Sequence, residues 1–148
     1  MKNGVLRLMT YFTADLMTIF IDTGPFISYC SERDEYHEIS KLIFEDIGKA
    51  AYGEPVTSDY ILTEVSNFLF KKGRREDALR LGSKIIENYP VIHIEETLFA
   101  NAWKRFNKLK IFSLTDCTNL AVMEHSKIDH IFTFDNAFKN FVKTIGLK

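Results

Sequence analysis

The chain has 148 residues, 46% of them apolar, with 13 phenylalanines and a net charge of −1 at pH 7. That length suits one domain with its own core, and that composition excludes disorder. Seven Gly and three Pro leave no room for a long linker, no run is apolar for long enough to span a bilayer, and no repeat or low-complexity tract occurs.

Cys30 and Cys117 lie far apart and form no C-x-x-C pair, so they read as two reduced, buried thiols of a cytoplasmic protein. The small net charge hides a division. Residues 1–65 carry five basic and eleven acidic side chains, and residues 66–110 carry ten basic and five acidic. A basic middle beside acidic flanks fits either a phosphate-binding surface next to a carboxylate site or ordinary solvated helix faces.

Lys2 and Arg7 precede a partly apolar run, but Asp15 interrupts it and no small-residue cleavage site follows, so a signal peptide is not expected. Residues 1–16 read as an extension outside the core, and 17–148 as the domain. Thr18–Ile21 is β-branched and aromatic and predicts a buried strand. Pro25 suits the first turn of a short helix through Ile27 and Tyr29. After the charged stretch SERDE, a helix is expected from Glu35 to Ala51, with Ile39, Leu42, Ile43, Phe44 and Ile47 at helical spacing. Residues 55–58 predict a second strand, and Ser58 or Asp59 caps a helix carrying Ile61, Leu62, Val65, Phe68 and Leu69 that Gly73 ends. A helix follows over 75–87, with Leu79, Ile85 and Ile86 facing inward. Val91–Ile94 is a third strand and Glu95–Lys108 a further helix. Thr115 is expected to cap a helix to Ser126. Ile131–Thr133 is a fourth strand, Asn136–Phe141 a terminal helix, and 144–147 a weak last strand. Strands alternating with helices imply an α/β fold with a mainly parallel sheet, whose site lies beyond the carboxyl ends of the strands.

Four acids fall at such positions. Asp22 follows the first strand, Glu64 lies in the early turns after the second, Asp116 opens a helix, and Asp135 follows the fourth strand. Each taken singly has a plain structural role, since Asp22 and Asp135 can cap helices and Asp116 can sit in a first turn. Glu64 instead interrupts the apolar face of Ile61, Val65 and Phe68. Together the four would repel and raise one another's pKa unless a cation joined them. An all-oxygen set without His or Cys suits Mg²⁺ or Mn²⁺, the ions of metal-dependent nucleases.

The segments IFIDTGPF (19–26), ILTEVSNF (61–68) and SLTDCTNLAVMEHSKIDHIFTFDNAF (113–138) resemble the PIN domain, and within it the VapC-type toxin ribonucleases. The resemblance runs from about residue 17 to 146. It implies a three-layer α/β/α sandwich with a short parallel sheet, and Mg²⁺- or Mn²⁺-dependent endonucleolytic cleavage of RNA. It implies metal ligation by Asp22, Glu64, Asp116 and Asp135, with Thr23, Thr133, Asn67 and Asn136 in supporting places. Asn119 stands one turn after Asp116, where the family often carries a second acid. A small antitoxin protein and a homodimer are the partners the resemblance implies.

His37, His93, His125 and His130 show no metal-ligand spacing and read as surface or boundary residues. Lys71, Lys72, Arg74 and Arg75 crowd one helix end and Lys104, Arg105, Lys108 and Lys110 form a second stripe; each group fits RNA backbone contact or a solvated helix end. Trp103 and the phenylalanines read as core, and Tyr29 and Tyr36 as the exposed aromatics. Two rival functions stay open: a free-standing nuclease of RNA processing, and a non-catalytic acidic-pocket module. A receiver-like version of the latter expects an acidic pair after the first strand, where only Asp22 is present.

Overall fold

A computed structural model describes residues 17–147, so the extension expected at 1–16 lies outside the described residues. In chain order the elements are β1 (Thr18–Ile21), α1 (Thr23–Tyr29), α2 (His37–Gly48), β2 (Glu54–Ser58), α3 (Asp59–Lys71), α4 (Arg75–Asn88), β3 (Val91–Ile92), α5 (Glu96–Lys108), α6 (Leu114–His125), β4 (His130–Phe132), a 3₁₀ turn (Asn136–Asn140) and β5 (Lys143–Ile145). All strands are parallel, in the order β3-β2-β1-β4-β5, with Phe20 paired to Val56 on one side and Ile131 on the other.

β1 is the central strand, and Ile19, Phe20 and Ile21 are wholly buried. That is why it reads as an unbroken apolar run: helices cover both faces of such a sheet. From β1 the chain steps outward through β2 to β3, then crosses back to β4 and β5. Right-handed crossovers in opposite directions put α1–α4 on one face and α5–α6 on the other, which gives three layers. α1 packs on α2 and α3, α3 on α4, and α5 on α6. The order reverses between β1 and β4, so the crevice of such a sheet opens beyond the carboxyl ends of those two strands. No described helix is long and apolar enough to cross a membrane.

Several expected details change. α2 is shorter at both ends than the predicted 35–51, and Leu42 is exposed. On α4, Leu79 and Ile86 face outward, while Ala78, Leu81, Gly82 and Ile85 face inward. Gly82 lies where α4 meets α3: a Cβ there would stand in ordinary contact, 3.6 Å from Leu62. Ser113, not Thr115, caps α6. The last helix is a 3₁₀ turn, and the last strand begins one residue earlier than predicted and ends at Ile145. Cys117 is buried and Cys30 half-buried, both free.

Trp103 is not core. α5 fully buries only Ala102, and Phe99, Trp103 and Phe106 lie 36%, 49% and 40% exposed along its outer side. Their rings form a ladder, with centroids 6.2 Å and 5.9 Å apart. The core phenylalanines are Phe20, Phe26, Phe112, Phe132 and Phe138. Phe132 has no exposed surface and meets Phe44 and Phe134 edge to face, with centroids at 5.2 Å and 5.6 Å. Phe132→Ala should therefore lower the unfolding free energy by about 3–5 kcal/mol in a denaturant titration. A loss below about 1 kcal/mol would contradict this account of the core.

Candidate active site

Asp22 stands one residue beyond β1. Its N–H donates to the Phe132 carbonyl at 3.0 Å, which carries the β1–β4 pairing into the site. The Thr57 hydroxyl donates to the Ile21 carbonyl at 2.9 Å and fixes β1 from the other side. So held, the Asp22 carboxylate is only 7% exposed. Oδ1 accepts from the Thr23 N–H at 2.8 Å and from Asn119 Nδ2 at 3.1 Å; Oδ2 accepts from the Thr133 hydroxyl at 2.7 Å. Asp22 thus caps α1, as its position alone suggested, but from a buried place where a surface cap has no need to be.

The two threonines hold the neighbouring acids. Thr23 Oγ1 donates to Glu64 Oε2 at 2.5 Å, joining the start of α1 to the second turn of α3. Thr133 Oγ1 also accepts from the Asp135 N–H at 3.0 Å, so one hydroxyl links Asp22 to the loop after β4. Asp135 Oδ1 accepts from the Ala137 N–H at 2.8 Å and caps the 3₁₀ turn. Asp116 forms a reciprocal box with Ser113: its Oδ2 accepts from the Ser113 N–H at 2.8 Å, and its own N–H donates to Ser113 Oγ at 3.1 Å. Ser113 escaped the sequence reading, although S-x-x-D at 113–116 carries its signal.

Burial pushes the Asp22 carboxyl up to about 6; the bonds from Thr133 and Thr23 oppose this, and the charges of Asp116 and Glu64 add to it. Burial also raises Asp116; the Ser113 bonds oppose the rise, and the charge of Asp135 adds to it. The acids are therefore electrostatic neighbours, Asp22 with Asp116 and Glu64, and Asp116 with Asp135. As placed, however, no three His, Cys, Asp or Glu side chains among the described residues stand close enough together to hold an ion. Each acid is tied to a local donor instead. The donor chemistry fits a hard divalent cation, since it is all oxygen and the Asp22 and Asp116 carboxyls are raised. So does an orphan beside Asp22: Asn119 Oδ1 is buried with no hydrogen-bond partner.

Asn67 and Asn136 are exposed. The histidines stay outside the site: His93 is exposed beside Asp59, His125 is exposed, His130 pairs with Asp129, and His37 Nδ1 lies 2.9 Å from the Ser28 carbonyl. Lys71, Lys72 and Arg75 are exposed. Arg74 differs. It donates to Asp77 at 2.6 Å, Ser31 Oγ at 3.0 Å and the Cys30 carbonyl at 3.0 Å, pinning the α3–α4 turn to the end of α1. On the second stripe Lys104, Lys108 and Lys110 are exposed, while Arg105 bonds Glu124 of α6.

Because Asp22 is raised above its ordinary 3.8, the folded state holds its proton more tightly than the unfolded chain does. Between pH 4 and 6 its ionisation therefore costs stability as pH rises. In EDTA, the melting temperature of Asp22→Asn minus that of wild type should grow from pH 4 to pH 7. A flat or falling difference would contradict the buried placement of this carboxyl.

The PIN domain family model matches residues 19–143. Sequence comparison with curated proteins finds no match. Among solved structures, VapC20 of Mycobacterium tuberculosis, a sarcin-ricin loop cleaving toxin, superposes with a TM-score of 0.73 at 22% identity, over 82% of this chain and 93% of that one. A toxin–antitoxin complex from Klebsiella pneumoniae gives 0.63 at 17% identity, over 88% and 95% of the two chains. VapBC-1 from nontypeable Haemophilus influenzae gives 0.64 at 17% identity, over 87% and 97%. A family match across nearly the whole described chain, on a five-stranded parallel sheet with acids at its carboxyl edge, leaves one conclusion: the chain belongs to the PIN domain family.

Proposed function

We propose that this protein is a metal-dependent endoribonuclease of the cytoplasm, the toxin of a toxin–antitoxin pair. The observation that carries the reading is the buried Asp22 carboxylate at the end of the central strand, held by Thr23, Asn119 and Thr133 and electrostatically coupled to Glu64 and Asp116. In this reading Asp22, Glu64, Asp116 and Asp135 hold Mg²⁺ or Mn²⁺. The ion, when bound, activates water and neutralises charge on the RNA phosphodiester. Thr133 keeps Asp22 and the Asp135 loop in register, and Thr23 keeps Glu64 turned toward the site. The exposed Lys71, Lys72, Arg75, Lys104 and Lys108 attract the RNA backbone, a salt-sensitive and sequence-independent contribution. Arg74 takes no part in this, because its guanidinium is committed to the α1 end.

Two surfaces support partners. A groove of about 310 Å³ between α1, α2 and α4 is lined by Phe26, Tyr29, Phe44 and Tyr89 with Lys41 and Lys84 at its edge, and suits an amphipathic segment of a small antitoxin. Similarity to toxin–antitoxin complexes points the same way. The aromatic ladder of α5 suits self-association into a homodimer.

RNA cleavage should appear with Mg²⁺ or Mn²⁺, vanish with EDTA, and fall roughly 100-fold or more in Asp22→Asn and Glu64→Gln. Cleavage indifferent to EDTA and to both substitutions would remove this mechanism. Light scattering after gel filtration should give a dimer mass for wild type and a monomer for Trp103→Glu; two equal masses would leave the ladder without this role.

A further inference from the structure

Asn119 lies on α6, one turn beyond Asp116, and has no exposed surface. Its Nδ2 donates to Asp22 Oδ1 at 3.1 Å. That bond fixes which way the amide turns, since the opposite orientation would set its oxygen against a carboxylate oxygen. Oδ1 must then point away from Asp22, and there it is buried without a partner. An unpaired buried carbonyl is costly, and native structures keep such a group only where something accounts for it. Packing does not account for it, because an apolar side chain of the same size would fill the place without the penalty. Orienting Asp22 alone does not either, because Thr23 and Thr133 already donate to that carboxylate.

We propose that Asn119 is a positioning residue for the divalent ion: its amide N–H orients Asp22, and its free carbonyl oxygen accepts a hydrogen bond from a water on the ion. This rests on the metal-dependent reading above. It gives the site a neutral fifth member that serves the ligand on one side and the coordinated water on the other. Outer partners of this kind change metal affinity by about 10–100-fold. A fifth carboxylate here would add charge beside Asp22 and Asp116, whose carboxyls are already raised.

Mn²⁺ binding, followed by the loss of the free-ion electron paramagnetic resonance signal and by calorimetry, tests this without any RNA. Asn119→Leu should weaken Mn²⁺ roughly 10–100-fold while the metal-free protein melts no lower than wild type, since an unpaired polar atom is removed with the donor. Asn119→Asp, nearly the same shape with an added charge, should bind Mn²⁺ roughly tenfold more tightly and decides the matter if the leucine variant does not fold. Unchanged Mn²⁺ affinity in these variants, with binding lost in Asp22→Asn, overturns the role of Asn119 and leaves the nuclease reading intact. Wild-type protein that binds no Mn²⁺ overturns both.

Discussion

Everything in the site depends on keeping one carboxylate out of water. Asp22 is placed there by the sheet itself: β1 is covered on both faces, and the residue that follows it enters the crevice between β1 and β4. An ionised acid in such a place is costly unless donors meet it. Three do, from the start of α1, from the end of β4 and from α6. These donors come from segments up to 111 residues apart in the chain, so meeting the acid and closing the fold around it are the same event.

The threonines do more than decorate the site. Thr133 uses its proton on Asp22 and its lone pair on the Asp135 amide, and Thr23 faces Glu64 while its own amide serves Asp22. A serine could make the same bonds. The additional methyl of threonine, confined at χ1, holds the hydroxyl direction with fewer alternatives. The outcome is that Asp22, Glu64 and the Asp135 loop are joined through threonine hydroxyls but not drawn together as a cage.

Much of this was legible in the sequence because local signals and global fold agreed. The Thr18–Ile21 strand is apolar at every position, as a strand buried on both faces must be, and its boundaries were read correctly. The threonine partners of the acids came from resemblance, not from spacing. What stayed hidden depended on a neighbour that no local pattern names. Leu79 and Ile86 look like the inward face of α4 until the fold shows that the stripe of Ala78, Leu81, Gly82 and Ile85 is the buried one. Trp103 looks like core by composition, yet α5 seats on the layer beneath through Ala102 and the half-buried Leu98. Asn119 looked like a departure, a missing acid; its bond to Asp22 crosses 97 residues and is invisible until the chain closes.

Asp116 and Asp135 are each claimed twice. One carboxylate oxygen of each accepts a backbone N–H, at the start of α6 and of the 3₁₀ turn. A capping bond of this kind is worth about 1 kcal/mol. An acid with one oxygen given to a backbone amide has the other to offer, which favours one-point attachment over a chelating grip. On the proposed metal-dependent reading, a cation attached in that way would keep coordination places open for the oxygens of a polyanion.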